Sequence, residues 1–253
     1  MTTLFVSDLH LDSALPAAIA QFEQFLPGPA RGADALYLLG DLFESWVGDD
    51  DDDAGRERVC AALRAYASTG VPCYACFGNR DFLLATGFER RSGCRIIDDP
   101  TIIDLYGERV LLTHGDALCT DDHAYQQLRA IVRTAAWQRR FLRLPLATRR
   151  QLADAARAGS RAHTGLVAPE IMDANDAAVI AVLRASGLRT LIHGHTHRPA
   201  VHEFMLDGQV AHRYVLGAWY EQGSYLRCAP GRYELVTLPR DVSVAAVTGG
   251  GPE

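Results

Sequence analysis

The chain contains no lysine: all 25 of its basic side chains are arginine, which excludes lysine-based chemistry such as Schiff-base formation. No stretch comes near the ~18 consecutive apolar residues that a membrane-spanning helix needs. The opening MTTLFVSDLH lacks the basic flank, long apolar run and small-residue cleavage site of a signal peptide, which predicts a cytoplasmic location. Six cysteines (Cys60, Cys73, Cys76, Cys94, Cys119, Cys228) are scattered through apolar segments without the dense pattern of a secreted disulfide scaffold, and are expected to be reduced and mostly buried. A formal charge of −6 argues against broad nucleic-acid binding. What is present suffices for one large domain, or a domain with a modest insertion, because 253 residues that are 48% apolar bury a substantial core without covalent staples.

The first hundred residues alternate short apolar runs with amphipathic stretches, the pattern of a layered α/β domain. TLFVS, ALYLL and VPCYACF read as strands; PAAIAQFEQFL and GRERVCAALRAYAS read as helices. Each strand ends in a polar cluster: Ser7-Asp8-Leu9-His10, Gly40-Asp41 and Gly78-Asn79-Arg80-Asp81. Ligand sites of α/β sheets gather at the carboxyl ends of strands, so these clusters are expected to converge. IIDLYGERVLLTHGD predicts two strands joined by a turn near Tyr106-Gly107 and ending at His114. Strand signals vanish between about Thr120 and Ala185, where helical spacing predicts a helical insertion or cap. LRTLIHGHTH restores a strand ending at His193 to His197, and AHRYVLGAW, GSYLRCA and RYELVTL are expected to form strands of a second sheet. A main domain over 1–243, a cap at about 120–170 and a flexible, Gly-rich tail at 244–253 follow.

Asp8, His10, Asp41, Asn79, His114, His195 and His197 together offer imidazole and oxygen ligands suited to Mn²⁺, Zn²⁺ or Fe²⁺. Asp41 could bridge two cations ~3.5–4 Å apart, the others dividing between them and leaving room for a water as nucleophile. Taken singly, an Asp after a strand caps a helix and a His in an apolar strand packs in a core. The joint pattern is different: DxH, GD, GNRD, HGD and GHTH all fall at expected strand ends.

SDLHLD, LLGDLFE, FGNRDF, THGD and IHGHTHRP resemble the signatures of the calcineurin-like metallophosphoesterases over residues 4–239. The resemblance implies an α/β fold built as a double β-sandwich flanked by helices. GDLFESWVGDDD, GNRDFLL, THGDALCTDDHAYQ, IMDANDAAV, IHGHTHRPAVHEF and VLGAW narrow it to the UDP-2,3-diacylglucosamine diphosphatase family of lipid A synthesis. That resemblance implies hydrolysis of the substrate's pyrophosphate to UMP and 2,3-diacylglucosamine 1-phosphate by a metal-bound water. It also implies two Mn²⁺ per monomer and a peripheral place on the anionic cytoplasmic face of the inner membrane; no obligate protein partner is evident from the sequence. One ion would be held by Asp8, His10, Asp41 and His197, the other by Asp41, Asn79, His114 and His195. Asn79, Arg80, Asp122, Ser160, Thr164 and His195 match substrate-contacting positions. Where the family more often carries an Asn and a Lys, this chain has Thr164 and Val167; Thr164 keeps a hydroxyl, Val167 cannot replace an ammonium, and a neighbouring arginine, Arg157 or Arg161, is a candidate to compensate. A phosphomonoesterase or cyclic-nucleotide phosphodiesterase with the same centre is the alternative enzyme; a binding scaffold that has lost its ligands is disfavoured, since all seven are retained.

Three further features have competing readings. Cys73-Tyr-Ala-Cys76 has the CxxC spacing of redox and zinc sites, but residues three apart in a strand point to opposite faces, which predicts packing. Asp49 to Asp53 read as a solvated loop rather than a cation site, with carboxylates open to hydrogen bonds from basic residues of the cap. Arg129 to Arg161 hold nine arginines against the single acid Asp154, interleaved with Trp137, Phe141, Leu142, Leu144 and Leu146. That composition suits an anionic membrane or an acylated anionic substrate, and equally a helical subdomain with solvated arginines; the family resemblance favours an acyl-chain cleft with membrane contact.

Overall fold

A computed structural model of the protein describes residues 1–164 and 171–240, the side chains of 161–164 excepted. The side chains of Arg161 and Thr164, together with Val167 and the expected tail at 244–253, therefore lie outside what is described. The first half runs β1 (Thr3–Val6), α1 (Pro16–Phe25), β2 (Ala35–Leu39), α2 (Ala54–Ala67), β3 (Cys73–Cys76), α3 (Thr86–Ser92), β4 (Arg95–Ile96), and the hairpin β5 (Thr101–Leu105) and β6 (Glu108–Leu112). Helices α4 (His123–Val132), α5 (Ala135–Leu142), α6 (Leu146–Thr164) and α7 (Asp176–Ser186) follow; then come β7 (Thr190–His193), β8 (Ala200–Leu206), β9 (Gln209–Val215), β10 (Gly223–Ala229) and β11 (Arg232–Leu238).

The strands form two sheets, β11-β10-β1-β2-β3-β4 and β5-β6-β7-β9-β8. Period-two alternation explains how they stack. Phe5 of β1, Leu39 of β2, Leu112 of β6, Ile192 of β7 and Leu226 of β10 point inward and fill one core between the sheets. Leu4, Val6, Leu36 and Leu38 point outward against α1 and α2, whose Phe22 and Leu63 are fully buried. On the other side Leu111 and Leu191 meet Val179 and Leu183 of α7. The result is helix, sheet, sheet, helix, with the polar loops after β1, β2, β3, β6 and β7 at one end.

Two expectations need correction. The β10 and β11 segments complete the first sheet rather than a second one: β10 runs antiparallel to β1, with Phe5 opposite Leu226, so that both enter the core between the sheets. Sequence patterning also passes over β8, the edge strand of the second sheet, because it lacks a clean alternation and leaves Val201 and Met205 exposed. The cysteine reading holds: all six are buried and free, with Cys73 on the outer face of the first sheet and Cys76 on its inner face.

Candidate active site at the strand ends

The seven candidate ligands come together although they arise from both sheets. Asp8 and His10 follow β1, Asp41 follows β2 and Asn79 follows β3; from the second sheet, His114 follows β6 while His195 and His197 follow β7. Asp8 Oδ1 lies 3.3 Å from His197 Nε2 and 3.9 Å from His10 Nε2. Asp41 divides its carboxylate: Oδ2 is 3.9 Å from His10 Nε2, and Oδ1 is 3.8 Å from His114 Nε2. Asn79 Oδ1 faces His114 Nε2 at 3.1 Å and His195 Nδ1 at 3.0 Å. Asp8, His10 and His197 can each offer an atom to one ion, with those atoms within 4.8 Å of one another, and so can Asp8, Asp41 and His114.

Local backbone geometry makes this possible. Asp8, His10, Asp41, His195 and His197 all have positive φ, between 48° and 69°, a region costly for residues with a side chain. Tertiary bonds hold them there. The His195 N–H donates to Asp8 Oδ2 at 2.8 Å, and the Arg80 N–H to Asp41 Oδ1 at 2.8 Å. Asp81, fully buried, accepts from the Gly78 and Leu42 N–H groups at 2.8 Å each. Gly78 and Gly194 are required by contact, since a Cβ at either would overlap Asp41 or the Ser7 and Asp8 side chains.

The electrostatics suit cations. Burial opposes the charge on Asp8, yet the imidazoles of His197, His114 and His10 outweigh it and hold its carboxyl well below the usual range. For His114, burial is outweighed by Asp41, Asp8 and Asp116, and the imidazole is pushed up to about 9. Burial and the neighbouring His114 bring His195 down to about 4, so that it offers a neutral nitrogen. Asp8 Oδ1 is buried with no hydrogen-bond partner, an orphan that a bound cation would satisfy.

A second layer surrounds these groups, and most of it was not singled out from sequence. Glu44 Oε2 lies 3.1 Å from His10 Nδ1, and the Tyr220 ring stacks on His10 with centroids 4.9 Å apart. Buried Asp116 accepts from the Arg129 guanidinium at 2.7 Å and from the Tyr125 hydroxyl at 2.5 Å, tying α4 to the centre, where the Tyr125 ring stacks beside His195. Glu44 and Asp116 sit inside LLGDLFE and THGD, so proximity to a motif was the available signal. Of the expected substrate contacts, Asn79 and His195 are at the centre and Arg80 is half-buried beside them. Asp122 caps α4, accepting from the Tyr125 N–H at 2.9 Å, and Ser160 lies on the exposed part of α6.

Asp50 to Asp52 are taken up by the cap, and Asp51 is buried rather than solvated as expected, because it also pairs with Arg56 of α2. Arg149, 2% exposed, donates to Val47 O at 2.6 Å and Asp50 Oδ1 at 2.8 Å, while Arg150 pairs with Asp51 and Asp52. Asp49 accepts from the Ala85 and Gly87 N–H groups at the start of α3. Within the cap, Phe141 stacks on Trp137 and is buried, whereas Leu128, Ile131, Leu142 and Leu152 are exposed. No helix among the described residues is long and apolar enough to cross a membrane.

Comparison with known proteins assigns the chain to a family. Residues 1–199 match the calcineurin-like phosphoesterase family. The UDP-2,3-diacylglucosamine hydrolase of Salmonella agona is 48% identical over 239 residues, 94% of this chain and all of the relative. That of Klebsiella pneumoniae subsp. pneumoniae is 49% identical over the same shares. Among solved structures, an archaeal phosphodiesterase is similar in fold with a TM-score of 0.50 at 13% identity, covering 94% of this chain and all of that one. The chain belongs to the calcineurin-like phosphoesterase family and, within it, groups with the UDP-2,3-diacylglucosamine hydrolases.

Proposed function

We propose that the protein hydrolyses the pyrophosphate bond of UDP-2,3-diacylglucosamine to UMP and 2,3-diacylglucosamine 1-phosphate at a centre for two divalent cations, with Mn²⁺ as the working ion. Asp8, His10, Asp41 and His197 hold one ion; Asp41, Asn79, His114 and His195 hold the other. The observation that carries this reading is the division of Asp41, with one oxygen toward His10 and the other toward His114. The donor set, imidazole nitrogens with carboxylate and amide oxygens, fits Mn²⁺, and the orphaned Asp8 Oδ1 supports a cation there.

Such a pair of cations, when bound, supplies Lewis acidity at a phosphoryl oxygen and lowers the pKa of water. The chain's own residues do the remaining work. Arg80 offers a planar fork to two phosphate oxygens, which fixes orientation as well as charge. Asn79, Asp122, Ser160, Thr164 and His195 complete the contacts to the substrate. Helices α4 to α6 contribute exposed Leu128, Ile131, Leu142 and Leu152 to the acyl chains and to the anionic cytoplasmic face of the inner membrane. A small polar phosphomonoester or cyclic nucleotide has no use for that surface, which favours the lipid-linked substrate over the alternative. The test is a Mn²⁺-supplemented assay of UDP-2,3-diacylglucosamine beside UDP-glucose and p-nitrophenyl phosphate. Preference for the acylated substrate is expected; equal kcat/KM on all three would overturn the substrate assignment.

A further inference from the structure

We propose that Glu44 is a positioning residue that couples the metal ligand His10 to the cap helix α6, so that α6 contributes to metal affinity without holding a ligand. This rests on the reading of His10 as a ligand. The two carboxylate oxygens of Glu44 face two different bodies. Oε2 is 3.1 Å from His10 Nδ1, and Oε1 is 3.9 Å from Arg157 Nη1 on α6. Glu44 is itself anchored: its N–H donates to Leu11 O at 3.2 Å, beside the bridge that joins Leu11 to Phe43 and locks the loops after β1 and β2 together. The Tyr220 ring lies nearly parallel to the imidazole, 7° from coplanar, and limits its rotation.

A carboxylate facing Nδ1 keeps the imidazole proton on that nitrogen. Nε2 is then left as the lone-pair donor, and it is Nε2 that faces His197, Asp8 and Asp41. Partners of this kind on ligating histidines typically change metal affinity by about 10–100-fold when removed. Arg157 extends the chain of contacts. Its guanidinium also lies 3.6 Å from Asp12 Oδ2, so it is held over the loop after β1 and steadies the second oxygen of Glu44 from the cap side.

The experiment is a Mn²⁺ titration of the metal-free full-length protein, reading free Mn²⁺ by electron paramagnetic resonance, with thermal unfolding of each metal-free variant alongside. Glu44→Ala is expected to raise one Mn²⁺ Kd by about 10–100-fold with little change in unfolding temperature. Glu44→Gln, whose amide oxygen keeps an acceptor beside Nδ1, is expected to recover most of that loss. If Glu44→Ala does not fold, Glu44→Asp replaces it with the same expected direction. Arg157→Ala should weaken Mn²⁺ binding several-fold alone and add nothing in the Glu44→Ala background, since the two act through one carboxylate. Unchanged affinity in Glu44→Ala, while an Asp41→Ala control loses its ions, would overturn the positioning role. Independent, additive losses would overturn the coupling to the cap. Intact binding in Asp41→Ala would overturn the ligand assignment, and this inference with it.

Discussion

His10 and His197 meet Nε2 to Nε2 at 3.2 Å, one from the loop after β1 and the other from the loop after β7. Two ligands each about 2.1 Å from one ion stand roughly this far apart, so the pair is already spaced as neighbouring ligands. The spacing concentrates the expected consequences of substitution on a few atoms.

Asp41→Ala should lower turnover by at least about 10³-fold and abolish binding of both ions, because it removes the carboxylate proposed to bridge them. Metal content and circular dichroism measured with activity check this. Near-normal activity with two ions bound would sink the assignment.

His195→Ala should cost far more activity than Cys73→Ser or Cys76→Ser. The histidine stands beside Asn79 at the centre, whereas the cysteines are packed on opposite faces of β3. The serine variants should instead unfold earlier, by about 1–3 kcal/mol for a buried hydroxyl, visible in denaturant melts. Loss of activity that tracks thiol oxidation would reverse the ranking.

Replacing Leu142 by Asn should raise KM for the diacylated substrate while leaving hydrolysis of a soluble phosphodiester nearly unchanged, since binding removed at a remote part of the substrate appears in KM. Burial of each methylene is worth about 0.8 kcal/mol, so a side chain that covers several of them has a measurable effect. Phe141, which composition alone would rank beside Leu142 as a lipid contact, is a core residue stacked on Trp137, so a polar residue there should destabilise the protein and depress both activities together. An equal decline on both substrates for Leu142→Asn would show that this position is structural.

Arg149→Ala should destabilise the cap's attachment by about 1–3 kcal/mol, because Val47 O and Leu144 O lose their donor. The pairing with Asp50 adds little, as that carboxylate is 64% exposed and screened. Urea melts and proteolysis between residues 120 and 160 would reveal the loosening. An unchanged midpoint would mean water replaces the guanidinium at no cost.

Much of the architecture was legible because short apolar runs ending in polar clusters mark strands with a functional end. The turn at Tyr106-Gly107 was legible from a glycine between two apolar runs, and the helical stretch after Thr120 from its helical spacing. What was hidden depends on tertiary context. Asp8, His10, Asp41, His195 and His197 adopt left-handed backbone with no glycine to announce it. The pairing of Asp50 to Asp52 with Arg149 and Arg150 joins residues about a hundred positions apart, and no local pattern specifies it. Glu44 and Tyr220 matter only once His10 is in place between them. The sheet assignment of β10 follows from which edge of β1 was free, a property of the assembled fold.

The seven candidate ligands come from both halves of the sandwich, which ties metal binding to the docking of the two sheets. Each proposed ion takes atoms from the first sheet and from the second, and only the docked sandwich presents them together. An ion that binds the folded chain alone raises its stability by RT ln(1 + [L]/Kd), about 2.7 kcal/mol at a hundredfold excess over Kd. On the proposed assignment, cation supply is expected to set how firmly the two sheets stay closed as well as how fast the reaction runs. A chelator should draw down the folded population along with the activity.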